Sequence, residues 1–229
     1  MRKTDHLLIT GSITLLSGTR IGGSDDILQI GGTDLTCIKD PVTGKPYIPG
    51  SSLKGKMRSE LERYHGRYGR NPDEPCGCAM PDCPICRVFG PHKVFRHNLG
   101  PSRLLVHDAT LLKGGEIELK TESSIQRRVN TATNPRTVER VVSGSSFKLS
   151  IGFQIFDIDN DFTYLDADDQ EVSGWKALRE VIYHGLDLVE QSGIGSGTSR
   201  GYGAVEITVD GIVRPGRRSG AERPREEVG

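Results

Sequence analysis

No apolar stretch in this 229-residue sequence approaches the roughly 20 residues that a membrane-spanning helix needs. Missing too are the apolar run and cleavage site of a secretory signal, since Met1-Arg2-Lys3-Thr4-Asp5-His6 is polar or charged after its first residue. A cytoplasmic protein with no membrane partner is the expectation. The phosphate-loop pattern of nucleotide hydrolases is absent, as is any Ser-His-Asp or Cys-His arrangement. The histidines at positions 6, 65, 92, 97, 107 and 184 show no metal-ligand spacing and no evident partner. Any catalysis must therefore use carboxylates, metals or a hydroxyl of the substrate. There is no internal repeat, and net charge is lacking, with 30 Lys and Arg against 30 Asp and Glu.

The charge is unevenly spread, however. Seven acidic residues and no basic one lie between Asp157 and Glu171, which leaves the rest of the chain basic. Lys54, Lys56, Arg58, Arg63, Arg67 and Arg70 crowd one region, and Arg127, Arg128, Arg136 and Arg140 another. Such clusters serve a phosphate-binding surface or a plainly solvated face. Glycine, at 29 residues, is abundant and grouped. The run from Gly193 to Gly203 is too dense for ordinary turns and marks backbone held close to something else.

A third of the residues are apolar, and the length suits one elaborated globular domain over 1–213. Residues 6–16 read as a strand with Leu7, Ile9, Ile13 and Leu15 on one face. A long Gly-rich segment without a period follows. Ser51 or Ser52 is then expected to cap a helix reaching about Tyr64, with Leu53, Met57 and Leu61 on its apolar face. A cysteine-rich insertion occupies 66–100. Strands are expected over 103–112 and over 116–120, the latter with Ile117 and Leu119 inward. Phe147, Leu149, Ile151, Phe153 and Ile155 alternate strictly and define the most secure strand. Between these strands, residues 121–146 are long, basic and polar, the pattern of a protruding hairpin or arm. Leu178, Val181, Ile182, Leu186 and Val189 trace a second helix, and Val205, Ile207 and Val209 a last strand. The order predicts an α+β, ferredoxin-like (RRM-like) core. The Arg-, Glu- and Pro-rich tail from residue 214 is expected to be disordered.

Four of the five cysteines fall within eleven residues, as Cys76, Cys78, Cys83 and Cys86. Tetrahedral zinc takes four such thiolates, and the C-x-C and C-x-x-C pairs are joined by Gly77 and prolines that suit the turns. Disulfides or a redox centre are the alternatives, the first disfavoured in a cytoplasmic protein. With four protein ligands no position stays open for catalysis, so the zinc is read as structural. Cys37 is isolated and reads as a small buried residue. Asp157, Asp159 and Asp161 begin a calcium-loop spacing, but Phe162 and Asp168 stand where Gly and Glu are needed. A solvated acidic strand end is the reading kept.

Several stretches then occur in order: Ile21-Gly22-Gly23-Ser24-Asp25, Ile38-Lys39-Asp40-Pro41, Ile48-Pro49-Gly50-Ser51-Ser52-Leu53-Lys54-Gly55-Lys56-Met57-Arg58, Asn134-Pro135-Arg136 and Gly195-Ser196-Gly197-Thr198-Ser199-Arg200-Gly201-Tyr202-Gly203. Together they resemble the repeating backbone subunit of type III-A (Csm-type) CRISPR effector complexes, in the RAMP superfamily, over roughly residues 6–210. The resemblance implies a ferredoxin-like palm with a projecting thumb hairpin at 121–146. It implies several copies stacked on one guide RNA, beside other type III subunits, with cleavage of the paired target RNA at regular intervals. Carried onto this chain, it makes Asp34 the cleaving carboxylate, acting as general base or as ligand of magnesium or another divalent cation. It places RNA contacts at Arg20, Lys54, Lys56, Arg58, Arg127, Arg128, Asn134, Arg136, Arg140, Ser199 and Arg200. Many relatives carry His where this chain has Arg20, and the four-cysteine insertion is not general among them.

The chemistry behind that expectation is sound. A-form geometry holds the 2′-hydroxyl, phosphorus and leaving oxygen out of line, and flipping one nucleotide releases that restraint at one linkage. A nearby aspartate can then activate the hydroxyl or hold a metal at the phosphate. The rival expectations are a non-cleaving RNA-binding scaffold copy, a guide-precursor ribonuclease of the same superfamily, and a stand-alone zinc-containing RNA-binding protein.

Overall fold

The computed structural model describes residues 1–22, 35–69, 71 and 73–215. Asp34, Arg70 and the tail beyond residue 215 lie outside the described residues. The elements are β1 (Lys3–Leu15), α1 (Gly50–His65), α2 (Pro84–Phe89), β2 (Leu104–Val106), β3 (Leu111–Lys113), β4 (Ile117–Gln126), β5 (Thr131–Val141), β6 (Ser146–Phe156), β7 (Thr163–Leu165), β8 (Glu171–Ser173), α3 (Trp175–Ser192) and β9 (Val205–Val213). The main sheet has the antiparallel order β2-β6-β1-β9, with β3 pairing farther along β6. Because α1 lies between β1 and β2 and α3 between β6 and β9, the connectivity is the β-α-β-β-α-β of an RRM-like core. Phe147, Leu149, Ile151 and Phe153 of β6 bury one face against Ile9 and Ile13 of β1. Leu53, Met57 and Leu61 of α1 meet Leu178, Ile182 and Leu186 of α3 over the same core.

Three local expectations are corrected. Helix α1 begins at Gly50 with Pro49 at its cap and no side-chain cap from Ser51 or Ser52. The Gly50 N–H instead donates to Asp108 Oδ1 at 2.7 Å, a cap supplied from across the fold. Only glycine fits there, since a Cβ would come within 2.3 Å of the Val106 carbonyl oxygen. The same contact explains why the strand expected over 103–112 is split into β2 and β3. Asp108 and Ala109 turn away so that Ala109 exchanges two hydrogen bonds with Ile48, at 2.8 and 3.0 Å. The third correction concerns 116–120, which belongs not to the main sheet but to the stem of the arm. β4 and β5 form a separate two-stranded hairpin with its turn at 127–130, and Leu119 points outward, 66% exposed. The hairpin is fastened to the core at its base, where Thr19 and Val141 exchange backbone hydrogen bonds.

The acidic segment after β6 also departs from a solvated strand end. It folds back as the β7–β8 hairpin, and Asp159 is fully buried. Its carboxylate takes a two-pronged contact from the equally buried Arg103, at 2.9 Å from Nε and 2.7 Å from Nη2. It also accepts the Phe156 N–H at 2.9 Å and lies 3.4 Å from Arg87 of α2. Both guanidiniums sit over aromatic rings, Arg103 on Phe156 at 4.7 Å and Arg87 on Phe162 at 5.5 Å. One carboxylate thus joins β6, the start of β2 and the cysteine-rich insertion. Asp159→Ala leaves two buried cations without their counter-ion and should cost about 3–5 kcal/mol. Urea unfolding checks this; a loss under about 1 kcal/mol would contradict the clip.

Candidate functional site

Where the middle of the hairpin meets the glycine-rich loop, the chain builds a groove of about 660 Å³ lined by Lys120, Glu122, Asn134, Arg136 and Arg200. The loop reaches it by folding back on itself around the turn Thr198–Arg200. Gly203 (φ 71°) makes the fold-back possible, because a Cβ there would lie 1.9 Å from the Ile194 carbonyl oxygen. Tyr202 is buried beneath the groove and orders it. Its ring receives Lys120 at 4.4 Å and Arg140 at 4.6 Å, and its hydroxyl donates to Glu122. Arg136 pairs with Glu122 at 2.8 Å, and Arg200 approaches the same carboxylate at 3.8 Å. The Tyr202 hydroxyl first, and Arg136 next, hold the Glu122 carboxyl far below its ordinary range, at about 2. Arg140 also pairs with Glu118.

Four of the expected residues therefore meet here: Asn134, Arg136, Arg140 and Arg200. Ser199 is exposed in the same loop, and Arg127 and Arg128 are exposed at the hairpin tip. Asn134 takes a left-handed conformation (φ 52°) immediately before Pro135, a kink that asparagine tolerates better than most residues. Lys120, Glu122 and Tyr202 escaped the sequence reading. The available signals were an aromatic set between Gly201 and Gly203, and the stem alternation that puts Lys120 and Glu122 on one face.

A smaller cavity of about 230 Å³ opens where the first turns of α1 face Gly195 and Ser196, and Lys56 lines it. Arg20 is nearby but inward, 8% exposed, with Nε donating to the Thr36 carbonyl at 3.2 Å. The phosphate grip expected of Lys54 and Arg58 meets a different geometry. Lys54 Nζ donates to the Leu104 carbonyl at 3.0 Å and to Ser102, and burial lowers its pKa. Arg58 is tied to Glu62 at 2.9 Å and to the Cys76 carbonyl at 2.8 Å. Lys56 and Arg63 share Glu60. Beyond Lys54, the basic face of α1 is thus a set of ion pairs, because Glu60 and Glu62 sit one turn from Lys56, Arg58 and Arg63, and Arg58 and Glu62 brace the insertion at Cys76.

The four cysteines converge. Cys76, Cys78, Cys83 and Cys86 place their sulfurs within 4.8 Å of one another, the one such group of potential metal ligands among the described residues. The separations of 3.9 Å (Cys76–Cys83), 3.7 Å (Cys76–Cys86) and 3.7 Å (Cys78–Cys86) match the edge of about 3.8 Å that a tetrahedron with metal–sulfur bonds of about 2.3 Å requires. Cys83 caps α2, with its sulfur accepting the Cys86 N–H. The residues present fit a four-thiolate metal. Cys37 is buried as expected, its N–H on Glu139 Oε2 at 3.0 Å.

Two histidines expected to lack partners have one. The Tyr164 hydroxyl bridges His65 Nε2 at 2.9 Å and His184 Nδ1 at 2.7 Å, joining α1, β7 and α3. Burial lowers the pKa of both rings. Asp34 falls outside the described residues. The next residue, Leu35, is held at the hairpin base, where its carbonyl accepts the Glu139 N–H at 2.9 Å.

The RAMP superfamily model matches residues 12–206. The "CRISPR system Cms endoribonuclease Csm3" of Methanothermobacter thermautotrophicus is 37% identical over 232 aligned positions, covering 90% of this chain and 85% of that protein. The protein of the same name from Streptococcus thermophilus is 34% identical, covering 86% of this chain and 84% of its own. Among solved structures, the Csm3-Csm4 subcomplex of the type III-A CRISPR-Cas interference complex aligns with a TM-score of 0.54 and 28% identity, over 90% of this chain and 77% of the other. A chain of the type III-B Cmr-beta complex bound to cognate target RNA shares the fold at a TM-score of 0.57 and 16% identity, over 92% of this chain and 61% of its own.

The tie between Tyr202 and Glu122 makes a pH prediction. A carboxyl lowered on folding contributes stability above its unfolded pKa and loses it as pH falls through the folded value. The stability that this contact lends to hairpin docking should therefore be full above about pH 4.5 and fall progressively as pH drops from there toward about 2. The carboxyl ¹³C shift of Glu122 reads the midpoint, and Tyr202→Phe should move it upward. A wild-type midpoint in the ordinary carboxylate range would break the account.

Proposed function

This chain belongs to the RAMP superfamily, and on that premise we propose that it is the guide-RNA-binding backbone endoribonuclease of a type III CRISPR interference complex. The observation that carries the reading is identity of 37% over 90% of the chain to a protein named for that activity. The groove beneath the hairpin supplies the physical means. Its cations are held by partly exposed ion pairs, with Arg136 47% and Arg200 56% exposed. Such pairs contribute only about 0–1 kcal/mol, so a phosphate can replace the carboxylate at little cost. Arg127 and Arg128 extend the positive surface along the hairpin, in the position of a thumb that wedges into a guide–target duplex. Lys56 and the first turn of α1 offer a second phosphate position beside the glycine-rich loop. The partners follow as guide RNA, complementary target RNA, further copies of this chain and other type III subunits.

Cleavage is assigned to Asp34, the carboxylate that the resemblance to target-cleaving relatives points to. The carboxylate takes the 2′-hydroxyl proton or holds a divalent cation such as magnesium at the phosphate. The four-cysteine cluster holds zinc as a structural ion, which fixes the insertion against α1 through Arg58 and Glu62.

In a complex assembled with a guide and given a matched target, Asp34→Ala should abolish cleavage with guide occupancy unchanged. Full cleavage by that variant would favour a non-cleaving scaffold copy, and lost assembly would make Asp34 structural. Elemental analysis should find one zinc per chain, lost on replacing Cys76, Cys78, Cys83 and Cys86 by Ser together with a fall in thermal stability. Metal-free protein of unchanged stability would remove the zinc assignment.

A further inference from the structure

A cavity of about 390 Å³ lies between the cysteine-rich insertion and the turn after β6, lined by Arg87, Arg96, His97, Asn98 and Ile158 among others, with no carboxylate in its wall. Arg87 and Arg103 place two buried guanidiniums around the buried carboxylate of Asp159, with the Asp161 carboxylate acting on Arg87 from farther off. Arg87 Nε is buried without a hydrogen-bond partner. No carboxylate among the described residues pairs with Arg96, which is exposed at the rim. His97 Nδ1 accepts the Leu99 N–H at 3.2 Å, which leaves its Nε2 as a donor. Two guanidiniums, an imidazole N–H and an amide make a donor set for an oxyanion. Immediately before Arg96, Phe95 is 96% exposed, the most exposed large apolar side chain of the described residues. A bare aromatic beside a cationic pocket is the pairing that single-stranded nucleic acid uses, base on ring and phosphate on cation.

We propose that the loop Phe95-Arg96-His97-Asn98 and its pocket form a second RNA contact, a subsite for one nucleotide of a single-stranded segment, with its phosphate on Arg96 and Arg87 and its base on Phe95. The site is separate from the groove. The groove lies toward the Ser146 end of β6 and the pocket past its Phe156 end, with the 11-residue strand, about 35 Å long, between the two ends. A strand that reaches both is held across the full length of the sheet, and the inference rests on the reading of the chain as an RNA-binding protein.

The test uses the full chain with a fluorescein-labelled oligouridylate, and inorganic phosphate as the competing source of the same anion. Phe95→Trp keeps a stacking ring and adds a fluorophore to a chain whose one Trp is Trp175. Its emission should change on adding RNA, and its affinity should equal wild type. Phe95→Ala should weaken binding about five- to a hundredfold, in line with base–aromatic stacking. Arg96→Ala should flatten the salt dependence by about 0.7 in the log–log slope, one single-strand phosphate contact. Both side chains are exposed, so the variants should fold. RNA binding with unchanged Phe95→Trp emission and no effect of Phe95→Ala would overturn the subsite. If Arg136→Ala with Arg200→Ala weakened that binding, the groove reading would survive alone. Emission that answers inorganic phosphate but not RNA would also overturn it, in favour of a free anion. Absence of any RNA binding would sink both readings together.

Discussion

The carboxylate of Asp159 sits where three parts of the chain would otherwise separate. Taking a carboxylate out of water costs several kcal/mol, and only well-placed partners return it. Arg103, Arg87 and the Phe156 N–H supply them, so β6, β2 and the insertion can close only in the arrangement that brings all three together. The insertion then reaches α1, where Glu62 accepts the Cys76 N–H at 2.8 Å while pairing with Arg58. The thiolate cluster is therefore fixed to the palm at two places, one ionic and buried, the other along a helix. Arg87, at the first of them, also lines the pocket proposed as a second RNA contact.

At the opposite end of the sheet the same elements are used loosely. Around Tyr202 each of the three arginines already has an acidic neighbour, yet Arg136 and Arg200 stay about half exposed. That is how a chain with zero net charge can carry the proposed nucleic-acid surface: the arginines are paired when the groove is empty and exchangeable when a phosphate arrives. Tyr202 is buried beneath the groove and holds Lys120 and Arg140 over its ring, contacts that do not involve the Glu122 pairs with Arg136 and Arg200.

Much of this was legible in the sequence. Strict alternation gave β6, helical spacing gave α1 and α3, and four thiols in eleven residues gave the metal cluster. The dense glycine run marked the loop that closes the groove. What escaped depended on partners far along the chain. Asp159 looked like one more exposed acid, since nothing local announces Arg103, 56 residues away. The charge of Lys54 and Arg58 was plain, but its direction was not; Leu104, Cys76 and Glu62 turn both inward. The break between β2 and β3 came from Ile48 and Gly50, which sequence neighbours of Asp108 cannot reveal. His65 and His184 likewise share a tyrosine that spacing could not place.

The central claim is that guide RNA runs along the groove between the middle of the hairpin and the glycine-rich loop. Photo-cross-linking of a complex assembled on a guide containing 4-thiouridine, with the linked peptides mapped by mass spectrometry, addresses it directly. The account predicts links to peptides holding Lys120, Asn134 and Tyr202. Links confined to the acidic cavity of about 630 Å³ around Tyr64, Tyr183 and His184 would contradict it.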